Sequence, residues 1–253
     1  MAWMFRTSFG PTTIEWEPIT WSGELRRRSQ VIYDRAESAV SHMRPEELPS
    51  ELFCSQAARV FHTSGITLGI SSQSRQTALR AIELARGAGQ LLSFDLNYRS
   101  RLWTASAAGE ACEPVMAQSD LIFLPIRDAR PVCGTSSSDP AEVCRELHLR
   151  WPRATIVVTR GNLGAAAIDL AGTFFEQSAF SAVEVERLGG GDAFSAGYLS
   201  AFLSGKKTAD ALRWACATAA IKYTIPGDLP LIDRSAVAAL VADESQLGSA
   251  IQR

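Results

Sequence analysis

Apolar runs and segments with helical spacing alternate along most of the chain, beginning near residue 55. The apolar runs predict five strands, at 58–65, 91–97, 120–125, 154–161 and 165–170. The segments with helical spacing predict six helices, at 71–89, 104–119, 139–150, 191–205, 208–224 and 233–247. The helix at 139–150 has the clearest start, because Asp139 can cap it and Pro140 suits its first turn.

The order of these elements predicts the fold class. Strands that alternate with helices of this length pair in parallel through right-handed crossovers. The runs within 58–65, 120–125 and 154–161 are apolar nearly throughout, as expected for strands that helices cover on both faces. The sequence therefore predicts an α/β protein with a mostly parallel central sheet.

The first thirty-five residues have a different character from the rest of the chain. They are rich in Thr, Ile, Trp and Val and are punctuated by Gly-Pro and Ser-Gly, which predicts short strands joined by turns, outside the main core. The run Arg26–Arg28 is open to two interpretations, an anion site or a solvated edge. We therefore expect a small β segment at 1–35 and an α/β core at 36–253.

Composition and charge exclude several classes of function. The chain has 253 residues and a formal net charge of −2, so no overall field would attract nucleic acid or an anionic membrane. The five cysteines are scattered without a C-x-x-C pair, which argues against a disulfide scaffold and a structural zinc site. No apolar stretch approaches the ~20 residues of a membrane span, and the first residues lack the apolar core of a signal peptide. A cytoplasmic protein is expected.

The segment RLGGGDAFSAG, at 187–197, is the strongest chemical signal in the sequence. Consecutive glycines at a helix start let backbone N–H groups converge on one anion, and the helix dipole adds to this attraction. Asp192 in that first turn can accept a proton from a hydroxyl beside the cradle, as phosphoryl transfer to an alcohol requires. The alternative is an Asp that only caps the helix after a glycine-rich turn. The Rossmann, P-loop and nucleophile-elbow patterns all fail on this sequence.

The same segment resembles the D-T-x-G-A-G-D-x-F signature of the ribokinase-like sugar kinases, the phosphofructokinase-B type. This resemblance implies that Asp192 is the catalytic base and that the N–H groups of Gly189, Gly190 and Gly191 form the anion hole. It extends over about residues 30 to 245, and it implies a three-layer α/β/α fold with a small β lid. The cofactors implied are ATP and Mg²⁺.

Upstream, the stretch 157–165 resembles the V-T-x-G-x-x-G strand and turn that holds the nucleotide in this family. The resemblance implies that Thr159, Gly161 and Gly164 lie along ATP. Cys216 aligns with the residue that lines the adenine pocket in the family, where Asn is common.

Three further stretches resemble the 2-keto-3-deoxygluconate kinases within this family. The stretch 93–103 is similar to their D-x-N-x-R-x-x-L-W segment, 31–39 to Y-x-R-x-x-S-A, and IKYTIPGDLP to K-x-T-x-x-G-D. The resemblance implies a sugar-acid substrate whose carboxylate is bound by arginine, which offers it a planar fork. The substrate-binding residues it implies are Arg99, Arg35, Tyr33 and Asn97.

Plainer interpretations stand beside these assignments. Arg99 is otherwise a surface arginine of a βα loop, although open α/β sheets bind ligands beyond the carboxyl ends of their strands. Arg35 and Tyr33 would otherwise belong to an exposed lid edge, and Lys222 and Asp228 are expected to be helix-end charges rather than ligands. The resemblance also makes a homodimer through the lid an expectation.

The sequence departs from the family pattern at several points. Glu186 stands where the signature usually begins with Asp. The family's N-x-x-E segment, associated with magnesium, aligns with LPIRDAR, which puts Pro125 and Asp128 in the Asn and Glu positions and leaves only Asp128 to interact with metal. The family's first strand and its glycine-rich substrate segment have no counterpart in the sequence. We therefore expect a sheet that lacks the usual first strand and has an unpaired edge.

The leading hypothesis is an ATP-dependent kinase that phosphorylates a hydroxymethyl group of a sugar acid, with 2-keto-3-deoxygluconate as the expected substrate. A kinase for another sugar, such as fructose, is the alternative within the same class. A non-catalytic ligand-binding relative and an unrelated nucleotide-binding α/β protein are alternatives from other classes.

Overall fold

The computed structural model of the protein describes residues 35, 37–54 and 58–250. Tyr33, Arg26–Arg28 and nearly all of the predicted lid at 1–35 lie outside the described residues. The strands are β1 Val60–Ser64, β2 Leu91–Asp95, β3 Leu121–Pro125, β4 Thr155–Thr159, β5 Ala165–Ile168 and β6 Phe174–Gln177. The helices are α1 Gly65–Ile70, α2 Ser72–Gly87, α3 Ala105–Met116, α4 Ile126–Cys133, α5 Pro140–Arg150, α6 Gly190–Leu203, α7 Thr208–Tyr223 and α8 Arg234–Ala250.

The six strands form a single sheet in the order β1-β2-β3-β4-β5-β6. Strands β1 to β4 pair in parallel, whereas β5 and β6 are antiparallel to their neighbours. The predicted mostly parallel α/β class is therefore confirmed. The connection from β4 to β5 is a short turn, which can join only antiparallel strands, because a parallel pair needs a crossover. Within the described residues β1 pairs only with β2, so it forms the expected open edge.

Helices cover both faces of the sheet, and side chains alternate between two cores along each strand. Ile122 and Leu124 of β3 point into one core with helices α1 to α5, while Leu121 and Phe123 point into the other, with α6, α7 and α8. This alternation follows from the two-residue period of a strand and makes β3 apolar at nearly every position. The architecture is the three-layer α/β/α arrangement that the family resemblance implied.

The amino ends of the central strands are joined by a charged network around Asp120, directly before β3. Its carboxylate accepts hydrogen bonds from Arg86 of α2 at 2.6 Å, from Arg153 at 3.2 Å, and from the N–H of Leu92 at 2.8 Å. Both carboxylate oxygens therefore have donors. The network fixes one end of the sheet and leaves the carboxyl ends of the strands, at the opposite end, for loops and cavities.

Candidate active site

The carboxyl ends of β1, β2 and β4 meet the start of α6, and two cavities open at this edge of the sheet. The first is a cleft with about 510 Å³ of empty space. It contains all four predicted nucleotide residues, Thr159, Gly161, Gly164 and Cys216, together with two glycines of the predicted anion hole. The lining residues are Thr159, Gly161, Gly164, Ala179, Phe180, Gly190, Gly191, Phe194, Cys216, Ala219, Ala220 and Tyr223.

The floor of this cleft is the turn between β4 and β5. Gly164 has a φ of 96°, and a Cβ there would lie 2.0 Å from the carbonyl oxygen of Gln177, so only glycine fits. Gly161 also has a positive φ, of 61°, but a Cβ there would meet no atom within 4 Å. Gly164 is therefore required for the shape of the turn. At Gly161 the absence of a side chain leaves the backbone open to the cleft.

The remaining walls of the cleft are apolar and small or aromatic. Ala219 and Ala220 of α7 line it together with Phe180 and Phe194. Small-molecule sites commonly combine apolar walls of this kind with a few polar groups. Phe180 and Tyr223 are not singled out by the sequence, because no motif covers the loop of Phe180 and Tyr223 stands at an unspecified position of the K-x-T-x-x-G-D segment.

The three glycines before Asp192 have three different environments. Gly189 has a φ of 72°, and a Cβ there would lie 2.4 Å from the carbonyl oxygen of Asp228. Gly190 packs against the ring of Tyr223, whose Cε1 would lie 2.3 Å from such a Cβ. Gly191 has no heavy atom within 4 Å of the same position and lines the cleft. Two glycines are therefore required by protein contacts, and the third leaves open space for a ligand.

The second cavity is polar and lies on the other side of the start of α6. Its empty space is about 540 Å³, and its lining residues are His62, Thr63, Ser64, Thr67, Asp95, Asn97 and Asp192. Asp192 and the predicted substrate residue Asn97 thus share one cavity. Hydroxyl, amide and carboxylate groups on its walls suit a ligand with several hydroxyl groups.

Asp95, at the end of β2, organises this cavity. Its Oδ1 accepts a hydrogen bond from the N–H of Asn97 at 3.0 Å, and its Oδ2 accepts one from Ser195 Oγ at 3.4 Å. The first bond holds Asn97 at a φ of 38°, a left-handed conformation that Asn tolerates better than most residues. Asp95 is part of the motif found in the sequence but was assigned no role there.

The acids of the site influence one another. Burial, followed by the charge of Asp192, raises the pKa of Asp95 to about 7. Although Asp192 is open to its cavity, the surrounding protein partly desolvates it, and this raises the pKa of its carboxyl, as does Asp228. A carboxyl with a raised pKa is a stronger base than an ordinary aspartate, which suits a proton acceptor.

Arg99 supplies the opposing positive charge. It lies in the loop after β2, half-buried, and donates a hydrogen bond to the carbonyl of Tyr98 at 3.2 Å. Its positive charge partly opposes the rise in the pKa values of Asp95, Asp128 and Asp192. Arg99 itself is not among the residues that line either cavity.

Of the other predicted substrate residues, Arg35 also lines neither cavity, and its carbonyl accepts hydrogen bonds from the N–H and the hydroxyl of Ser38. Tyr33 lies outside the described residues. The polar cavity has instead a wall that the sequence did not suggest, made by His62, Ser64 and Thr67 of β1 and α1. Desolvation lowers the pKa of His62 to about 4, so this wall carries a neutral imidazole at neutral pH.

The predicted metal residue, Asp128, is a buried acid in the first turn of α4. Its Oδ2 has no hydrogen-bond partner, and burial raises the pKa of its carboxyl. Across the described part of the chain no three His, Cys, Asp or Glu residues form a group that could hold a metal ion. The predicted donor is thus a single carboxylate, a ligand that Mg²⁺ accepts together with water and substrate phosphates. Its oxygen without a hydrogen-bond partner is buried, and Asp128 lines neither of the two cavities.

Residues 17–232 match the model of the pfkB family carbohydrate kinases. The 2-dehydro-3-deoxygalactonokinase of Haloferax volcanii is 40% identical over 210 residues, which cover 83% of this chain and 65% of that protein. The 2-dehydro-3-deoxygluconokinase of Thermoproteus tenax is 32% identical over 203 residues, 79% of this chain and 59% of that protein. The chain thus spans less than two thirds of the length of these curated relatives.

Solved structures agree with the sequence match. The crystal structure of 2-dehydro-3-deoxygluconokinase from Thermotoga maritima superposes with a TM-score of 0.78 at 28% identity, covering 87% of this chain and 70% of that one. A ribokinase II structure from E. coli with ATP and Mg²⁺ has the same fold, with a TM-score of 0.76 at 19% identity, covering 85% and 68%. Among the described helices, none is long and apolar enough to cross a membrane.

Proposed function

The chain belongs to the pfkB family of carbohydrate kinases, and from this premise we propose that it transfers the γ-phosphoryl group of ATP to the hydroxymethyl group of a 2-keto-3-deoxy sugar acid. One observation carries the proposal. Gly191 and Asp192 are neighbours in the first turn of α6, yet Gly191 lines the apolar cleft and Asp192 lines the polar cavity. A phosphoryl donor in the cleft and an alcohol in the cavity would meet at this turn.

The proposed chemistry follows from that placement. Asp192 accepts the proton of the sugar hydroxyl, and its raised pKa makes it a better acceptor than an ordinary aspartate. The N–H groups of Gly189 and Gly191 stabilise the charge of the transferring phosphoryl group, aided by the dipole of the 14-residue helix α6. The N–H of Gly190, also expected in the anion hole, donates instead to the carbonyl of Arg187 at 3.2 Å. Because Gly189 and Gly190 are packed against Asp228 and Tyr223 before the ligands bind, little reorganisation of the turn accompanies the transfer.

The nucleotide site of the proposal is the cleft formed by the β4–β5 turn and helices α6 and α7. Thr159, Gly161 and Gly164 lie along the phosphates, and Cys216 lines the base end with the apolar walls. Bound Mg²⁺ would neutralise charge on the phosphates. Asp128 is the residue proposed to hold it, through its unpaired carboxylate oxygen.

The sugar-acid assignment rests on Arg99 and on the named relatives. Arg99 is a cation beside the polar cavity, and its planar fork matches a carboxylate. The relatives of Haloferax and Thermoproteus are named for 2-dehydro-3-deoxygalactonate and 2-dehydro-3-deoxygluconate, two acids that differ in configuration at C4. Asn97 is proposed to bind a substrate hydroxyl, and Arg35 and Tyr33 to approach from the lid side, where two copies of the chain are also proposed to pair.

ADP release tests this proposal directly. We expect ATP- and Mg²⁺-dependent release with one of the two acids, preferentially 2-keto-3-deoxygluconate, and a fall of about 10²–10⁴-fold in kcat for Asp192→Asn. Asp210→Asn is the matched control, since Asp210 is also an exposed acid in the first turn of a helix but lies away from both cavities.

Each other outcome has a definite meaning. Equal turnover of fructose would contradict the sugar-acid assignment and favour a kinase for neutral sugars. A preference for the galactonate epimer would correct the substrate within the same class. Nucleotide binding without turnover of any sugar would refute the kinase activity of this chain and favour a ligand-binding role.

A further inference from the structure

Lys222 is an ionisable side chain that the proposed chemistry does not use. It lies in the last turn of α7 and is 0% exposed, one of the largest fully buried side chains in the protein. Burying an ammonium group is costly unless hydrogen bonds and nearby negative charge compensate it, and a methionine would fill similar volume without that cost. Packing alone therefore does not explain why a charged side chain occupies this buried position.

The ammonium group is held at the C-terminus of its own helix. Lys222 Nζ donates a hydrogen bond to the carbonyl of Ile225 at 3.0 Å, and the N–H of Ile225 returns a bond to the carbonyl of Lys222 at 3.0 Å. The free carbonyls at a helix C-terminus carry partial negative charge, which stabilises a cation there. Lys222 thus ties Ile225, the second residue after the end of α7, to the helix itself.

The loop that Lys222 holds is the wall behind the triple-glycine turn. Two residues beyond Ile225, the N–H of Gly227 donates to Glu186 Oε2 at 2.6 Å. The next residue, Asp228, contacts Gly189 so closely that a Cβ on that glycine would lie 2.4 Å from its carbonyl oxygen. The position of the loop 225–228 therefore sets the position of the first glycine of the turn.

A second contact joins the same two segments. The carbonyl of Tyr223 accepts hydrogen bonds from the N–H groups of Val185 and Glu186, at 2.8 and 3.1 Å. The Tyr223 ring packs on Gly190. Residues 185–190 thus pack against the end of α7 through both the carbonyl and the ring of Tyr223. Lys222 is the residue directly before Tyr223.

We propose that Lys222 is a positioning residue: its buried ammonium fixes the loop 225–228, and through that loop the turn Gly189–Gly191 and the carboxylate of Asp228 near Asp192. The inference rests on the proposed function, in which that turn holds the transferring phosphoryl group. A small displacement of a charge-stabilising turn reduces catalysis strongly, because its donors no longer meet the developing charge.

The decisive variant is Lys222→Met, which removes the charge and keeps the volume. Replacing a buried charge by a hydrophobic side chain of similar size is often neutral or stabilising, so we expect its Tm to be equal to or above that of the unmodified chain. At the same time kcat should fall by about ten- to a hundredfold, with the KM for ATP changing much less. Val237→Ala is the control, because Val237 is buried in α8 away from both cavities and should lower Tm without changing kcat.

Amide hydrogen exchange separates this proposal from the proposed function. Lys222→Met should accelerate exchange at 186–191 and at 227–228 by about tenfold or more, whereas Val237→Ala should not do so selectively. If the unmodified chain shows no turnover, the kinase proposal has failed and the exchange result alone decides the role of Lys222. Unchanged exchange, or unchanged kcat in an active enzyme, would overturn the positioning role.

A second variant keeps the test valid if Lys222→Met does not fold. Lys222→Ala leaves room for an added amine, so methylammonium should restore part of kcat and slow the exchange, while the bulkier tetramethylammonium should not. Glu186→Gln tests the other end of the loop, and it should lower kcat in the same direction because it weakens the bond to Gly227. No response to either variant would refute the proposed route.

Discussion

Replacing Gly191 by alanine tests the anion hole with a single methyl group. The φ of Gly191 is not in the left-handed region, and an added Cβ would meet no heavy atom within 4 Å, so the folded protein has room for it. Alanine is favoured over glycine in a helix by about 0.5–1 kcal/mol. For a chain of this size such a gain corresponds to a rise of about 1–4 °C in Tm.

The effect on activity should have the opposite sign. The new methyl group would project from a residue that lines the nucleotide cleft and would keep the phosphoryl group from the N–H of Gly191. Losing one donor of this kind lowers kcat by about 10²–10³-fold. The assay is ADP release at saturating ATP and sugar acid, together with thermal unfolding of the same samples.

Gly87→Ala provides a matched control for this variant. Gly87 ends α2, its added Cβ would also meet nothing within 4 Å, and it is far from both cavities. We expect it to change Tm in the same direction and to leave kcat unaltered. A Gly191→Ala enzyme with kcat within about twofold of the unmodified chain would refute the role of that N–H group.

Three further predictions concern charge and backbone shape. The pKa of Asp95 is about 7 in the folded protein against 3.8 ordinarily, so its ionisation withdraws stability as the pH rises between these values. As the pH rises, the Tm of Asp95→Asn should therefore decline less than that of the unmodified chain, and it should be the higher of the two above neutral pH. Thermal unfolding across pH measures this, and an unchanged decline in Tm would contradict it. Asp228→Asn removes a negative charge that raises the pKa of Asp192. The acid limb of the kcat/KM profile should therefore move to lower pH, and a move to higher pH would contradict the effect of Asp228 on Asp192. Gly164→Ala should lower Tm by about 5 °C or more, because its Cβ would lie 2.0 Å from a carbonyl oxygen. Gly172→Ala shares the positive φ but meets no atom, and it should cost much less.

The strands were predictable because their apolar runs are buried on both faces. β2, β3 and β4 all lie inside predicted runs, and the helix that starts at Pro140 has the predicted Asp139 cap, which accepts hydrogen bonds from two backbone N–H groups. The elements that were not predicted have weaker local signals. β6 is only four residues long and half-buried, and α4 contains Pro131, which locally disfavours a helix.

The site was predictable in part. The glycine-rich turns and Asp192 carry motifs, and the structure brings the predicted nucleotide residues into one cleft. What the sequence does not contain is the environment of each residue. Lys222 was expected to be a helix-end charge, and it does lie in the last turn of α7, but nothing in the sequence indicated that it would be fully buried there. Its burial depends on tertiary contacts, which have no period or spacing along the chain.

The charged network around Asp120 has a consequence for how the protein can change. Asp120 accepts a hydrogen bond from the N–H of Leu92 in β2. Asp95, which lines the polar cavity, lies three residues further along the same strand, about 10 Å away. One short strand thus connects an end that is held by ion pairs to an end that lines the proposed substrate cavity. We expect substitutions around Asp120 to change Tm more than the proposed activity, and substitutions at the cavity end to act mainly on the proposed activity.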